Sequence, residues 1–422
     1  MRTERLGDLG DAPAVLAAVA DAGGKLGLGS PAALIGDWFG SRAVIAPQLR
    51  AAPVRRRDVF GVQATEVDGA AVGGGWIGYL SYPDAGADGR GPRIPEAAGG
   101  WADFVLRQDR AGAWFYESLS GEAMPSWLER ALARRGDRPR CRIEWADADR
   151  DTHRAGVLAC LDAIAAGEVY QACVCTQFAG TVSGDERLRE DQMARAPVEF
   201  FADAVARTAP TRAAFVAGAW GAVASLSPEL FLRRRGETVT SSPIKGTVPR
   251  YVEPSELLHS VKDVAENIMI VDLVRNDLGR VATVGTVTTP ELLAVRPAPG
   301  VWHLVSTVSA RVPVDMPITA LLDATFPPAS VTGTPKTRAR QLLSQWEPRR
   351  RGIFCGTIGL ASPIAGTELN VAIRTVEFDA HGGAVLGVGG GITADSDPDD
   401  EWDECLHKAG PIIGIGQTAS LS

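Results

Sequence analysis

The chain has 422 residues, 45% of them hydrophobic and 22% charged, the balance of a globular protein with a substantial core and room for two domains. A net charge of −8 excludes a general nucleic-acid surface, so an anionic substrate needs a local cationic pocket. No apolar run is long enough to span a bilayer, and residues 1–8 carry no apolar core of a signal peptide.

Residues 1–150 read as strand-rich. Residues 34–40 and 43–46 look like paired strands, and 73–80 like a strand packed closely against another backbone. Residues 84–100, rich in Gly, Ala and Pro, read as a loop. Residues 104–106 and 113–116 flank a hairpin signal, and a short helix near 126–134 follows. The polar segment 135–150 is the expected boundary between a first portion, 1–150, and a second, 151–415.

Residues 153–166 carry the helical stripe Val157, Leu158, Leu161 and Ile164. Residues 169–178 alternate as a strand, with Gln171, Cys173, Cys175 and Gln177 on one face. Such a face lines a polar cavity or marks a sheet edge. Cys173 and Cys175 point the same way and are poorly placed for a mutual disulfide. The six cysteines form no C-x-x-C pair and have no zinc-ligand spacing, so a reducing cytoplasm is expected. A helix is expected over 197–207, with Pro197 in its first turn. At 226–231, Ser227 suits an N-cap and Pro228 the first helical position, so Glu229 falls in a first turn, where a carboxylate favours the helix dipole.

Residues 241–250 read Ser-Ser-Pro-Ile-Lys-Gly-Thr-Val-Pro-Arg, a strand end in which Gly246 lets another molecule approach Lys245. Taken alone, Lys245 is an ordinary surface lysine. The clearest helix covers 255–276, with the stripe Leu257, Val261, Val264, Ile268 and Val271. Glu266 faces away from that stripe, yet its neighbours Met269, Ile270 and Leu273 make the second face apolar too. A carboxylate buried there needs a partner. Lys262 four residues earlier is one candidate and a metal ion the other. Residues 284–295 and 301–312 read as strands, and His303 among Val, Trp and Leu fits a satisfied core group. Residues 326–336 form a rigid loop before a helix and lack the leading glycine of a P-loop. Strands are expected near 356–360 and 370–376.

Residues 389–394 match G-x-G-x-x-A, but no second strand with its acidic residue follows, which excludes the dinucleotide reading. The glycine run can instead offer backbone N–H groups to an anion. A last helix opens near 397–398. It carries Glu401, Glu404 and Lys408 on one face, with Trp402 and Cys405 on the other.

Collected, these stretches resemble the chorismate-utilising enzyme family. The blocks that carry the resemblance are 243–247, 263–277, 303–307 and 372–375, in the family order, within a match over about 151–413. The resemblance implies an α+β fold, the anthranilate synthase component I-like sandwich of antiparallel sheets flanked by helices, with both portions in one body. It is nearest the branch that forms 4-amino-4-deoxychorismate for para-aminobenzoate and folate biosynthesis. Isochorismate-forming members have a water-activating lysine where Gln171 stands, and anthranilate synthases have alanine where Lys245 stands. The catalytic residues implied are Lys245, Glu229 and Gln171, with Lys245 adding to the ring and Glu229 protonating the departing 4-hydroxyl. The substrate-binding residues implied are Thr247, His303, Arg374, Gly390, Gly391 and Lys408. Glu266 and Glu404 would hold Mg2+, with Glu401 supporting through water. The resemblance departs at Cys173 and Gln177, where the family pattern has asparagine and arginine. No cysteine–histidine–glutamate amidotransferase signature is visible, so the implied partners are chorismate, ammonia and a separate glutamine amidotransferase subunit. The alternatives kept beside this reading are an anthranilate synthase-like enzyme and a non-catalytic chorismate-binding relative.

Overall fold

A computed structural model of the protein describes residues 1–63, 69–84, 89–134, 141–183 and 190–415. Residues 85–88 of the expected loop and 135–140 of the expected boundary lie outside the described residues. The fold is α+β: two antiparallel sheets, of 12 and 10 strands among the described residues, with helices on their outer faces. Both sheets take strands from either side of residue 150. In the first, Ala32–Trp38 and Ser41–Ala46 pair with each other, and Ala32–Trp38 also pairs with Arg212–Gly218. In the second, Gly75–Leu80 pairs with Thr357–Ser362.

Alternation along the strands divides the core. Leu34, Val44, Ile77, Tyr79, Val216 and Leu360 point between the sheets. Ala33, Ile35 and Ile45 point outward, under Phe200, Phe201 and Leu16 of two covering helices. On the outer face of the second sheet, Leu232, Val239 and Val308 pack against Ile270, Val271 and Val274 of the helix Val261–Gly279.

Several local expectations give way to tertiary structure. Residues 226–231 form no helix: Gly221–Ser227 and Leu230–Arg235 are strands. Ser227 still acts as a cap, its Oγ accepting from the Glu229 amide at 3.1 Å. The ladders on both sides of Leu230–Arg235 outweigh one capped turn. The long helix of the second portion breaks at Ser260, which caps Val261–Gly279 by accepting from the Asp263 amide. Its buried face is also rotated from the apolar stripe. Val261 and Ile268 are exposed, whereas Asn267 is buried, donating to the Leu304 carbonyl at 3.1 Å and accepting from Ser306 Oγ at 2.5 Å. A polar side chain with both needs met can occupy a core position that periodicity assigns to a hydrophobe.

Pro197 lies inside the helix Glu190–Thr208 rather than in its first turn. Ala97–Ala102, within the expected loop, is a strand paired with Gly75–Leu80. The strand expected at 370–376 divides into Gly366–Asn370 and Thr375–Asp379, with Arg374 between them at φ 51. The glycine run is not a loop cradle. It lies in the strand Gly383–Ile392, between Gln171–Ser183 and Thr375–Asp379. Its small residues admit close neighbours: a Cβ at Gly387 would strike Phe354, and one at Gly389 would lie 2.6 Å from Cys175 Sγ.

The sheets are tied by Arg212 of the first and Glu368 of the second, both buried, with Arg212 Nη1 donating to Glu368 Oε2. Arg233 donates to the other oxygen at 2.7 Å, and the Arg212 guanidinium lies 5.3 Å from the Trp38 ring centre. Glu368→Ala leaves buried Arg212 with the half-exposed Asp37, 3.3 Å from Nη2, as its one remaining carboxylate among the described residues. It is expected to cost about 3 kcal/mol of folding free energy, read from the midpoint of guanidinium unfolding.

Candidate active site

Lys245 lies in the strand Ile244–Pro249, directly against the helix Val261–Gly279. Gly246, at φ 88, is what permits this: a Cβ there would lie 3.0 Å from Asp263 Cβ and 3.2 Å from Leu257. The close approach at Gly246 includes that of the chain's own helix. Lys245 Nζ reaches Glu266 Oε2 at 3.5 Å, with both side chains largely buried. Lys262 is not the partner of Glu266. It crosses to the last helix and donates to Glu401 Oε1 at 3.3 Å.

The opposite wall comes from the first sheet. Gln171 opens the strand Gln171–Ser183, which has neighbours on both sides and so is no sheet edge there. Gly391 lies on the adjacent strand. A Cβ at Gly391 would stand 2.8 Å from Lys245 Nζ, 3.0 Å from Gln171 Oε1 and 3.5 Å from Glu266 Oε2. An amine, an amide and a carboxylate from three elements thus converge over one glycine.

Both polar atoms of the Gln171 amide are buried without a hydrogen-bond partner, as are His303 Nε2 and Glu401 Oε2. Buried polar atoms are nearly always satisfied, so these four atoms on predicted site residues keep bonding capacity for a water or a ligand. Thr247 and His303 face each other across paired strands, with Thr247 Oγ1 2.8 Å from His303 Nδ1. Burial and the nearby Arg374 guanidinium push the His303 imidazole down to about 4, so the ring is neutral. Arg374 pairs with no carboxylate among the described residues, and burial pushes it down as well.

Glu229 is buried, close enough to Lys245 for its charge to act on the carboxyl. Burial raises its carboxyl to about 7, although Ser330, Lys245 and the Ile244 amide all favour the charged form. The last helix, Pro398–Ile413, brings the remaining carboxylates. Glu401 accepts from Ser396 Oγ at 2.7 Å and is raised by burial. Glu404 pairs with Lys408 at 2.5 Å, and Lys408 also donates to the Gly389 carbonyl at 2.7 Å. A Cβ at Gly390 would touch Glu401 Oε2 and lie 3.8 Å from Glu404 Cδ. Glu266 and the pair Glu401–Glu404 therefore flank consecutive glycines of one strand. Among the described residues no three carboxylate, imidazole or thiol groups gather closely enough to enclose a metal ion.

Ser330, Asn267, Glu347 and Arg351 escaped the sequence reading. The rigid loop at 326–336 was the one signal that could have located Ser330. A separate cavity of about 510 Å³ lies between the helices Ala12–Lys25, Ser126–Leu132 and Glu190–Thr208, and no predicted site residue lines it.

The sequence profile of the chorismate binding enzyme family matches residues 40–414. Aminodeoxychorismate synthase component 1 of Escherichia coli (strain K12) is 40% identical over 257 residues, covering 58% of this chain and 53% of that protein. Aminodeoxychorismate synthase of Streptomyces griseus is 36% identical over 379 residues, covering 82% of this chain and 50% of that one. The chain thus spans about half the length of the curated relatives it matches. Anthranilate synthase component I from Streptococcus pneumoniae TIGR4 shares the fold, with a TM-score of 0.69 at 23% identity over 91% of this chain and 90% of that one.

A methyl group at 391 would intrude between the ends of three side chains and leave the backbone ladder intact. Gly391→Ala is therefore expected to keep the wild-type thermal transition and to displace the ends of Lys245 and Gln171, seen in a crystal structure of the variant.

Proposed function

The chain belongs to the chorismate binding enzyme family, and on that premise we propose that it aminates chorismate at C4, giving 4-amino-4-deoxychorismate. The observation that carries this reading is the pairing of an amine and an amide at the space over Gly391, Lys245 Nζ and Gln171 Oε1. An amide cannot deprotonate water, whereas a primary amine is a nucleophile once it has released its proton.

Lys245 Nζ adds at C2 of chorismate. The ring double bonds shift, the C4–O bond breaks, and the Glu229 carboxyl gives its proton to the departing hydroxyl, which leaves as water. Ammonia then adds at C4, the double bonds shift back, and the C2–N bond breaks to release Lys245. The sum is chorismate plus ammonia giving 4-amino-4-deoxychorismate plus water. Burial suits Glu229 to the first step, because a carboxyl raised to about 7 still holds its proton near neutral pH. Glu266, 3.5 Å from Lys245 Nζ, is within reach of the ammonium proton that must leave before attack.

The orphaned Gln171 amide and His303 Nε2 supply polar contacts to the ring substituents. With Thr247 donating to Nδ1, the neutral His303 ring presents an N–H donor at Nε2. Arg374, the amides near Gly390 and Gly391, and Lys408 complete the binding of the substrate carboxylates. The carboxylates also suit Mg2+: Glu266 and Glu404 would hold it, with Glu401 supporting through a water. The orphaned Glu401 oxygen leaves an acceptor free for the water through which it would support the ion. When bound, Mg2+ supplies positive charge against a substrate carboxylate.

These residues all fall in 151–415, to which we assign the chemistry, leaving 1–150 a supporting role. Ammonia would come from a separate glutamine amidotransferase subunit, in line with the name component 1 carried by the Escherichia coli relative. Six free, buried cysteines fit a reducing cytoplasm.

Incubation with chorismate, Mg2+ and ammonium is expected to give 4-amino-4-deoxychorismate, identified by mass spectrometry. Anthranilate or isochorismate as the main product would overturn the assignment. Without ammonia, a mass increase is expected on the Lys245 peptide, and Lys245→Ala should abolish it. The pH dependence has a definite sign. Glu229 acts protonated, so kcat/KM should fall as pH rises through about 7, well above an ordinary carboxyl value of 4.5. Glu229→Gln should lower kcat by roughly a hundredfold or more and remove that limb.

A further inference from the structure

Arg351 is 2% exposed and makes four side-chain hydrogen bonds beneath the site. Nε and Nη2 donate to the two oxygens of Glu347 at 2.7 and 2.6 Å. Nη1 donates to the Val331 carbonyl at 2.8 Å, and Nη2 also donates to the Cys173 carbonyl at 2.6 Å. The guanidinium lies 4.5 Å from the centre of the Tyr82 ring, and Glu347 Oε1 accepts from the Cys175 amide at 3.0 Å.

The two carbonyls so held are not arbitrary. Val331 follows Ser330, which lines the same small cavity as Glu229. Cys173 lies two residues beyond Gln171 on the same strand. The Cys173 amide in turn donates to the Thr332 carbonyl at 2.9 Å, and Gln171 pairs in register with Thr334. One guanidinium therefore fastens the loop bearing Ser330 to the strand bearing Gln171. A planar fork with fixed donor directions does this where a flexible ammonium could not. A buried ion pair of this kind adds little net stability over apolar residues of the same size, so its geometry is the more telling property.

We propose that Arg351, oriented by Glu347, is a positioning residue of this site, setting Ser330 against Glu229 and Gln171 over Gly391. The inference rests on the C4-amination reading, in which Glu229 is the acid. The charged side chains facing Glu229 are Lys245, from the strand Ile244–Pro249, and Asp277, which shares a cavity of about 20 Å³ with Glu229 and Ser330 and is paired to Lys336 at 2.5 Å. Neither is held by Arg351.

The test compares wild type with Arg351→Lys, Glu347→Gln and Ser330→Ala, using the full chain with chorismate, Mg2+ and ammonium across pH. Arg351→Lys is expected to lower kcat roughly tenfold to a hundredfold with little change in KM. Its alkaline limb should move to higher pH, because Ser330, whose hydroxyl favours the charged form of Glu229, is no longer held against it. Glu347→Gln and Ser330→Ala should move the limb the same way, and Arg351→Lys combined with Ser330→Ala no further than either alone. The same displacement is read without turnover from the carboxyl infrared band that Glu229→Gln removes. A limb and band at the wild-type position in Arg351→Lys and Glu347→Gln, with only a lowered melting temperature, would overturn the proposal. If Arg351→Lys does not fold, an unmoved band in Glu347→Gln overturns it equally. Failure of the amination reading shows separately, as a different wild-type product.

Discussion

The site depends on the pairing of Gln171–Ser183 with Gly383–Ile392. The register runs without interruption from Ala172 opposite Ile392 to Thr181 opposite Gly383. A slip of one residue would turn Gln171 to the other face of the sheet and separate it from Lys245. Both strands carry apolar residues on the face toward the helices, such as Phe178, Leu386 and Val388, and that burial fixes the register. A polar site is thus held in place by hydrophobic packing on the far side of the same strands.

Electrostatics then sort the carboxylates by surroundings. Glu229 is sealed between a strand end and the loop carrying Ser330, and burial outweighs its hydrogen bonds, so it retains a proton. Burial acts most strongly on Glu404 too, but Lys408, Lys245 and Lys262 together outweigh it and lower that carboxyl. Two glutamates in one site are thereby given different charge states by their surroundings. Lys262 and Lys408 neutralise the last helix without occupying the space over Gly391.

Glycines perform separate tasks here. Gly246 lets a strand lie against the Val261–Gly279 helix, while Gly390 and Gly391 keep one strand clear of the side-chain ends that gather around it. Neither task requires a loop. The glycine run that reads as a backbone cradle is a sheet strand, because its partners on both sides offer more hydrogen bonds than a free loop could.

By itself the sequence determined the residue chemistry and the alternation that builds two antiparallel sheets. Glu266 stands out because a carboxylate sits on an apolar helix face, and Gln171 because amides and thiols share one strand face, whereas Lys245, Glu229, Glu401 and Glu404 are singled out only by the family resemblance. Periodicity also located most strands and the last helix. It misassigned the helix at 226–231 and the buried face at 261–279, since local capping and apolar counting cannot register a neighbouring strand or a satisfied Asn267. The partners of the charged groups were decided only by the tertiary structure. Lys262 and Glu401 are 139 positions apart, and Arg351 meets the Cys173 carbonyl across 178. No local spacing encodes such pairs, because they form only when two sheets and the helices covering them bring remote segments within hydrogen-bond distance.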